Sequence, residues 1–411
     1  MKISYLFGEL GSTGGSIVLY NFMDNLVERG YEIYAILPDK RIKWEVGIWK
    51  EIIENNESKH TSKAVNNIIN FFTKNNTKLE NLNYYYALKK FTDGLIHNWV
   101  ESDITISTYS LTTYAGYYLS KKTVPLYHMQ HFEELFFTDI NQRLIARNTY
   151  YLPLIKISNS KWLQNILKTQ LNINSYLLNP GIDLNLFKPY KEFTTKYYDK
   201  KEWLIVSYFS EEPLKGFNDA AKGVKLARDY LNKKGINLKW KVFGLNPPSR
   251  KYETEFEYVG KIFGKDLAKL YSKADIVLMA SWYESFPLPP IEAMACGTLI
   301  IATRYGTEDY VFDKENGLVC LPRQPEEITN KIIYAIENPE KCLEMVKNGQ
   351  KTVKNYSWEK RTDILEEILL KSAQNYSFDK FKLFDDLVNA NFKKYMYNEF
   401  KTFDNLNPKK I

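Results

Sequence analysis

Short runs of apolar residues recur along this chain, and an amphipathic stretch follows most of them. "KISYLF", "YEIYAIL", "DITIS", "VPLYHMQ" and "LPLIKIS" come first; after a polar passage, "KPYKEFTTKYYDKKE", follow "WLIVSYF", "KWKVFG", "EFEYVG", "DIVLMA", "TLIIAT" and "GLVCL". Runs this short and this apolar suit strands buried on both faces, as in a parallel sheet, and parallel strands need a helical crossover between them. Because the series restarts after the polar passage, the pattern predicts two doubly wound α/β domains of similar size. At 411 residues, the chain is long enough for each to bury its own core. The first series closes on "SYLLNPGIDLNLF", a strand and a Pro-Gly turn. Residues 40–100 are polar and helical in tone and disclose no topology.

Composition removes several classes. Hydrophobic residues make up 44% and charged residues 26%, the balance of a globular protein. No stretch approaches the ~18 apolar residues of a membrane-spanning helix. "MKISYLFGELGSTGG" meets glycines where a leader would have a cleavage site, so no signal peptide is expected. Cys296, Cys320 and Cys342 form neither a metal spacing nor a CxxC, which points to a reducing compartment. The net charge of +7 suits a solvated surface, and suits contact with an anionic membrane or a phosphorylated ligand. Near the C-terminus, Phe381, Phe384, Val388, Phe392 and Tyr395 recur at helical spacing. Two readings of that helix stay open: docking on the rest of the protein, or binding a membrane surface or partner.

In open α/β sheets ligands bind beyond the carboxyl ends of the strands, so the segments after each strand matter most. "DIVLMA" is followed by "SWYESFPLPPIEAMACG", which places Glu284 on a loop and Glu292 eight positions later. Pro289 and Pro290 predict a helix start there, with Glu292 in its first turn and Gly297 ending it. The loop amides and positive helix end could hold a phosphate between the carboxylates; ordinary helix capping explains Glu292 equally well. "WLIVSYF" leads to Lys215 and Gly216 at another helix mouth, an arrangement suited to a diphosphate and also to a solvated lysine. "KISYLF" leads to Gly14 and Gly15, which open a helix where a ligand could approach the backbone. The glycine spacing is not GxGxxG and no GK[ST] follows, which argues against nicotinamide cofactors and ATP hydrolysis. "YHMQHFEELF" holds His128, His131 and Glu133, read as polar cleft residues or, less simply, a metal site. The chain has no Asp-x-Asp, so a metal-bridged nucleotide-sugar site is not expected.

Together these segments resemble the GT4 family of retaining glycosyltransferases, also called glycosyltransferase group 1, which has the GT-B fold. "GSTGGSIVLYNFMDNLVERGYEIYAI" is similar to the family's Gly-Gly loop and first helix. "ISNSKWLQNIL" and "LNPGIDLNLF" are similar to its interdomain region, "PLKGF" to its diphosphate site, "ADIVLMASWYESFPLPPIEAMACGTLIIAT" to its E-x7-E signature, and "YSWEKRTDILEEIL" to its closing helix. The resemblance implies two Rossmann-like domains facing each other across a cleft, with a C-terminal helical extension. Its boundaries are an acceptor-binding domain over 1–185, a nucleotide-sugar domain over 186–370, and an extension over 371–411 packing back on the first domain.

The resemblance also implies roles. Glu284 would contact the donor sugar at its reacting end, and Glu292 the ribose hydroxyls. Lys215 would neutralise the diphosphate, with Ser285, Phe286 and Leu288 lining the donor site. Gly14 and Gly15 would let the acceptor domain approach the diphosphate. His131 falls near the sugar-contacting position, with Gln130 and Glu133 as alternatives. The expected activity is metal-independent, retaining hexosyl transfer without a cofactor. A nucleotide diphosphate sugar, a UDP-sugar in first place, would donate to a saccharide, lipid-linked or protein-linked acceptor in bacterial-type surface glycan synthesis. The expected setting is cytoplasmic, with peripheral contact at the inner face of the membrane and no nucleic acid partner. Alternatives are a non-catalytic GT-B subunit recruiting a partner, or a GT-B epimerase or phosphorylase. Three departures from the family stand out. Tyr208 and Ser210 occupy the region of a usual arginine, with Arg250 or Lys261 as substitutes. Pro287 removes an amide after the first glutamate. "RYGTEDYV" lacks a second glycine.

Overall fold

The computed structural model describes residues 1–11, 13–54, 78–137, 140–190 and 200–377. They fall into two compact units, the first made of residues 1–158, 166–178 and 362–377, the second of 159–165 and 179–361. The aromatic positions between Phe381 and Tyr395 lie outside the described residues.

The first unit runs β1 (Lys2–Leu6), α1 (Gly14–Glu28), β2 (Glu32–Ile36), β3 (Arg41–Lys43), α2 (Ile48–Glu54), α3 (Lys78–Asn98), β4 (Ile104–Ser107), α4 (Thr112–Leu119), β5 (Val124–Met129) and a 3-10 turn (Glu133–Phe136). Then follow α5 (Ile140–Tyr151), β6 (Ile155–Ser158), α6 (Lys161–Leu171), whose first turn belongs to the second unit, and β7 (Tyr176–Leu177). Its sheet has the order β3-β2-β1-β4-β5-β6-β7. All neighbours are parallel except β2 and β3. Every residue of β4 and β5 is buried, which is why both read as unbroken apolar runs. By contrast β3 is an edge of three residues with Arg41 and Lys43 exposed, and charge on an edge discourages pairing with another chain.

The second unit runs β8 (Glu202–Tyr208), a 3-10 turn (Pro213–Lys215), α7 (Phe217–Asn232), β9 (Asn237–Phe243), β10 (Glu257–Tyr258), α8 (Gly264–Lys273), β11 (Ile276–Met279), α9 (Leu288–Ala295), β12 (Leu299–Thr303), β13 (Leu318–Cys320), α10 (Pro325–Glu337) and α11 (Pro339–Val353). A further helix, α12 (Trp358–Asn375), begins there. The order β10-β9-β8-β11-β12-β13 is parallel throughout. Alternate strand residues feed two cores. Ile205, Ile276, Leu278 and Ile301 pack with Phe217 of α7 and Ile328 of α10. Val206, Val277 and Ile300 pack with Tyr271 of α8 and Ile291 of α9. This two-faced burial is what a doubly wound sheet requires.

Most of α12 belongs with the first unit, where the boundary drawn from sequence had put it with the second up to residue 370. Leu365, Ile368 and Leu369 of α12 are buried, and Arg29, which ends α1, meets Asp363 at 2.8 Å and also pairs with Glu366. Beyond it, the Tyr376 hydroxyl donates to the Ser120 carbonyl at 3.0 Å.

Candidate functional site

In both sheets the strand order reverses beside the first strand, between β1 and β4 and between β8 and β11. The crevice beyond such a reversal is where open α/β sheets take ligands. In the second unit, the loop after β8 carries Lys215 and the loop after β11 carries Glu284. Lys215 Nζ lies 2.7 Å from Glu284 Oε1, with the two side chains 30% and 18% exposed. Burial opposes the charge on Lys215, but Glu284 together with Glu212 and Tyr208 more than offsets it, and the ammonium is held above its usual range.

The two loops touch along their backbones. Trp282 N–H donates to the Leu214 carbonyl at 2.8 Å. Gly216, with φ of 62°, comes so close that a Cβ there would lie 1.9 Å from the Ala280 carbonyl oxygen. Only glycine satisfies both the left-handed backbone and that approach. The Trp282 indole N–H donates to Asp219 of α7 at 2.7 Å, and the Arg323 guanidinium lies over the indole at 4.6 Å.

Separate anchors hold each residue from Glu284 to Pro287. Glu284 N–H donates to the Tyr305 carbonyl at 3.3 Å. The Ser285 hydroxyl donates to Asn159 Oδ1 and faces the Ser160 hydroxyl at 3.3 Å. Phe286 packs against the rings of Tyr310 and Tyr356 at 4.9 and 5.9 Å. The Pro287 carbonyl accepts from the Tyr310 hydroxyl at 2.6 Å. Asp309 completes the frame, accepting from Lys161 N–H and the Asn179 amide at 3.0 Å each. Sequence reasoning missed Asn159, Ser160, Asn179, Asp309 and Tyr310. For Asn159, Ser160 and Asn179 the available signal was their position, polar residues directly after apolar runs in "ISNSKW" and "LLNPG".

The helix after this loop begins earlier than expected. Pro287 is its N-cap and Leu288 its first residue, so Glu292 sits in the second turn rather than the first. Of Pro287, Leu288, Pro289 and Pro290, only Leu288 has an N–H to offer, so this helix end presents one free amide in place of the usual set. Glu292 is half-buried, and desolvation lifts its carboxyl to about 8, against a smaller opposing effect of the Tyr271 hydroxyl. Behind Glu284, Gly306 has φ of 92° and a Cβ there would lie 2.4 Å from the Glu284 carbonyl oxygen. The carboxylate of Glu308 takes the Gly306 N–H at 2.6 Å, where a second glycine was missing from the pattern.

Of the two substitutes for the absent arginine, Arg250 is brought to the start of α7, the helix that follows Lys215. It donates to Asn218 Oδ1 in the first turn of α7 at 2.9 Å and lies over the Tyr252 ring. Ser249 beside it donates to Glu211 through N–H and hydroxyl. Lys261 instead lies over Phe263. Tyr208, half-buried at the end of β8, has its hydroxyl lifted by burial. The Ser210 hydroxyl accepts from Glu212 N–H at 3.2 Å.

In the first unit, the loops after β1 and β5 meet. Packing demands glycine at neither position: a Cβ on Gly14 would meet nothing within 4 Å, and one on Gly15 would touch Gln130 at an ordinary 3.6 Å. His131 is half-buried, its Nδ1 3.3 Å from the Phe132 carbonyl and its ring against Phe136. Glu133 is fully enclosed and does another job. It accepts from Ser110 N–H at 2.6 Å and from the Tyr127 hydroxyl at 2.9 Å, tying the loop after β4 to the turn after β5. Burial lifts its carboxyl to about 7 despite those donors. His128 is buried in the core against Phe22, and desolvation lowers it to about 3, so its ring is neutral. Among the described residues no group of three or more His, Cys, Asp or Glu is placed to hold a metal, and no helix is long and apolar enough to cross a membrane.

Residues 195–352 match the family Glycosyl transferases group 1. An uncharacterized glycosyltransferase of Methanocaldococcus jannaschii is 27% identical over 49% of this chain and 55% of its own length. The D-inositol 3-phosphate glycosyltransferase of Rhodococcus erythropolis is 34% identical over 27% of this chain and 25% of its own. The chain therefore spans about half of the first relative and a quarter of the second. Among solved structures, sucrose-phosphate synthase from Thermosynechococcus elongatus superposes with a TM-score of 0.68 at 18% identity, over 90% of this chain and 98% of that one. Anabaena HepE in complex with UDP-glucose gives 0.63 at 18%, over 90% and 100%. The fold is two Rossmann-like parallel sheets with helices, as in these GT-B structures.

Proposed function

We propose that this chain is a retaining glycosyltransferase of the GT4 type that uses a nucleotide diphosphate sugar. The observation that carries the reading is the 2.7 Å pairing of Lys215 with Glu284 at the strand reversal of the very segment that matches the glycosyltransferase family. A diphosphate needs a cation there, and a transferred sugar needs a carboxylate beside it for its hydroxyls. Lys215 would stabilise the charge that develops on the departing nucleoside diphosphate, with Arg250 adding a second positive charge and Leu288 N–H one amide. Glu284 would hold the sugar, and Ser285 and Phe286 would keep that loop in register. Glu292 would accept from the ribose hydroxyls.

Retention follows if the acceptor hydroxyl attacks from the face that the phosphate leaves, passing its proton to the departing phosphate oxygen. No side-chain nucleophile and no metal enter this scheme. In the first unit, Gly14, Gly15 and His131 would serve the acceptor side, with Gln130 against Gly15. UDP is favoured as the leaving group by HepE, whose structures hold UDP-glucose and UDP. The acceptor is a saccharide or a lipid- or protein-linked chain, in surface glycan synthesis at the inner face of a membrane.

The test is a panel of UDP-, GDP-, ADP- and dTDP-sugars. One of them should raise the melting temperature and turn over to free nucleoside diphosphate, and Glu284→Ala should abolish turnover. Turnover untouched by Glu284→Ala and by Lys215→Ala would remove the reading.

A further inference from the structure

Resting on that donor reading, we infer that Glu284 sets the preference of this site for an intact nucleotide sugar over the free nucleoside diphosphate that transfer leaves behind. Glu284 already satisfies Lys215, at 2.7 Å and mostly enclosed. A diphosphate that takes Lys215 therefore competes with a carboxylate for the charge of one ammonium, and the carboxylate gains from other donors to the extent that it loses that charge.

The surroundings give it few. Its loop is pinned on both sides, by Glu284 N–H on Tyr305 and by Ser285 on Asn159 and Ser160. Gly306 lies close behind the Glu284 backbone, where even a Cβ would collide with the Glu284 carbonyl. The nearby Gly306 N–H is taken by Glu308 at 2.6 Å. A bound sugar supplies hydroxyl donors at this point, and the exchange is close to neutral. A free nucleoside diphosphate supplies none and carries an additional negative charge on its terminal phosphate. With it, Glu284 shares Lys215 with an anion, gains no new donor and faces an additional negative charge, which is costly for an enclosed carboxylate. Glu284 thus returns to Lys215 as the product departs, and the same residue holds the sugar before transfer and helps release the diphosphate after it.

The measurement is titration calorimetry on wild type, Glu284→Gln, Lys215→Met and the double variant. The probes are whichever pair of UDP with UDP-glucose, GDP with GDP-mannose, ADP with ADP-glucose or dTDP with dTDP-glucose raises the wild-type melting temperature. Glu284→Gln should bind the nucleoside diphosphate about tenfold more tightly than wild type, a 1.4 kcal/mol gain, and the nucleotide sugar no more tightly. That gain should vanish in the Lys215→Met background. Equal or weaker diphosphate binding by Glu284→Gln, or a gain that survives without Lys215, overturns the inference while leaving the donor reading in place. Wild type that binds no probe overturns both. Melting curves of each variant establish that it is folded.

Discussion

Lys215 and Glu284, sixty-nine positions apart in sequence, are joined at 2.7 Å across the point where the strand order of the second sheet reverses. Neither loop reaches this geometry alone. The Lys215 turn is short because Gly216 lets it lie against Ala280, and the Glu284 loop is rigid because its neighbours are individually bonded.

Gly216→Ala should damage the whole unit. The substitution combines a left-handed φ of 62° with a collision against the Ala280 carbonyl. A loss of roughly 3 kcal/mol is expected. Chemical denaturation measures it, and a loss below about 1 kcal/mol would show that the turn simply moves aside.

Glu292 makes stability depend on pH. Its folded-state carboxyl is raised to about 8, so the folded chain favours the protonated form. The contribution is full below the unfolded value of about 4.5 and is lost as pH climbs through about 8. Glu292→Gln should flatten that slope, its advantage over wild type growing by up to about 1.4 kcal/mol per pH unit as pH rises from 5 to 8. Parallel slopes for the two proteins would contradict the assignment.

Glu133→Ala should cost about 2–4 kcal/mol, because it leaves the buried Ser110 N–H and the Tyr127 hydroxyl without their acceptor. Glu133→Gln keeps an acceptor oxygen and should recover most of the loss. Thermal unfolding of the three proteins distinguishes this joining role from a ligand-contacting one, for which both substitutions would leave stability unchanged.

Arg250→Ala should raise the KM for the nucleotide sugar about tenfold with a melting temperature within about 1 °C of wild type, since the side chain is exposed. Arg250→Lys should recover part of the loss. A KM unchanged in Arg250→Ala would leave Lys215 to meet the diphosphate charge without it.

Much of the architecture was legible because parallel strands buried on both faces have nowhere to put a polar residue. β5, β11 and β12 announce themselves for that reason. β3 does not: Arg-Ile-Lys is a short pairing whose partner supplies the reason to be a strand. Lys215 and Glu284 could be located because each follows such a run. The Asn159–Ser285 contact could not, since its partners stand 126 positions apart and no local spacing links them. The helix starts at Leu288, one residue before Pro289, because the preference for proline in a helix's first turn tolerates Pro289 and Pro290 at its second and third positions, not its first alone. Glu133 looked like a cleft residue because a carboxylate after a strand end usually is; enclosure by Ser110 and Tyr127 decided otherwise.

The Pro-Leu-Pro-Pro opening of α9 has a consequence for how such a site would age and adapt. A phosphate cradle made of main-chain amides is fixed by the fold and nearly indifferent to single substitutions. Here the prolines leave one such amide, and on the proposed reading neutralisation would pass to the ammonium of Lys215 and the guanidinium of Arg250, groups that salt screens and one codon change can delete. Grip on a charged substrate should weaken steeply as ionic strength rises, and related chains should be able to retune it without rebuilding the backbone.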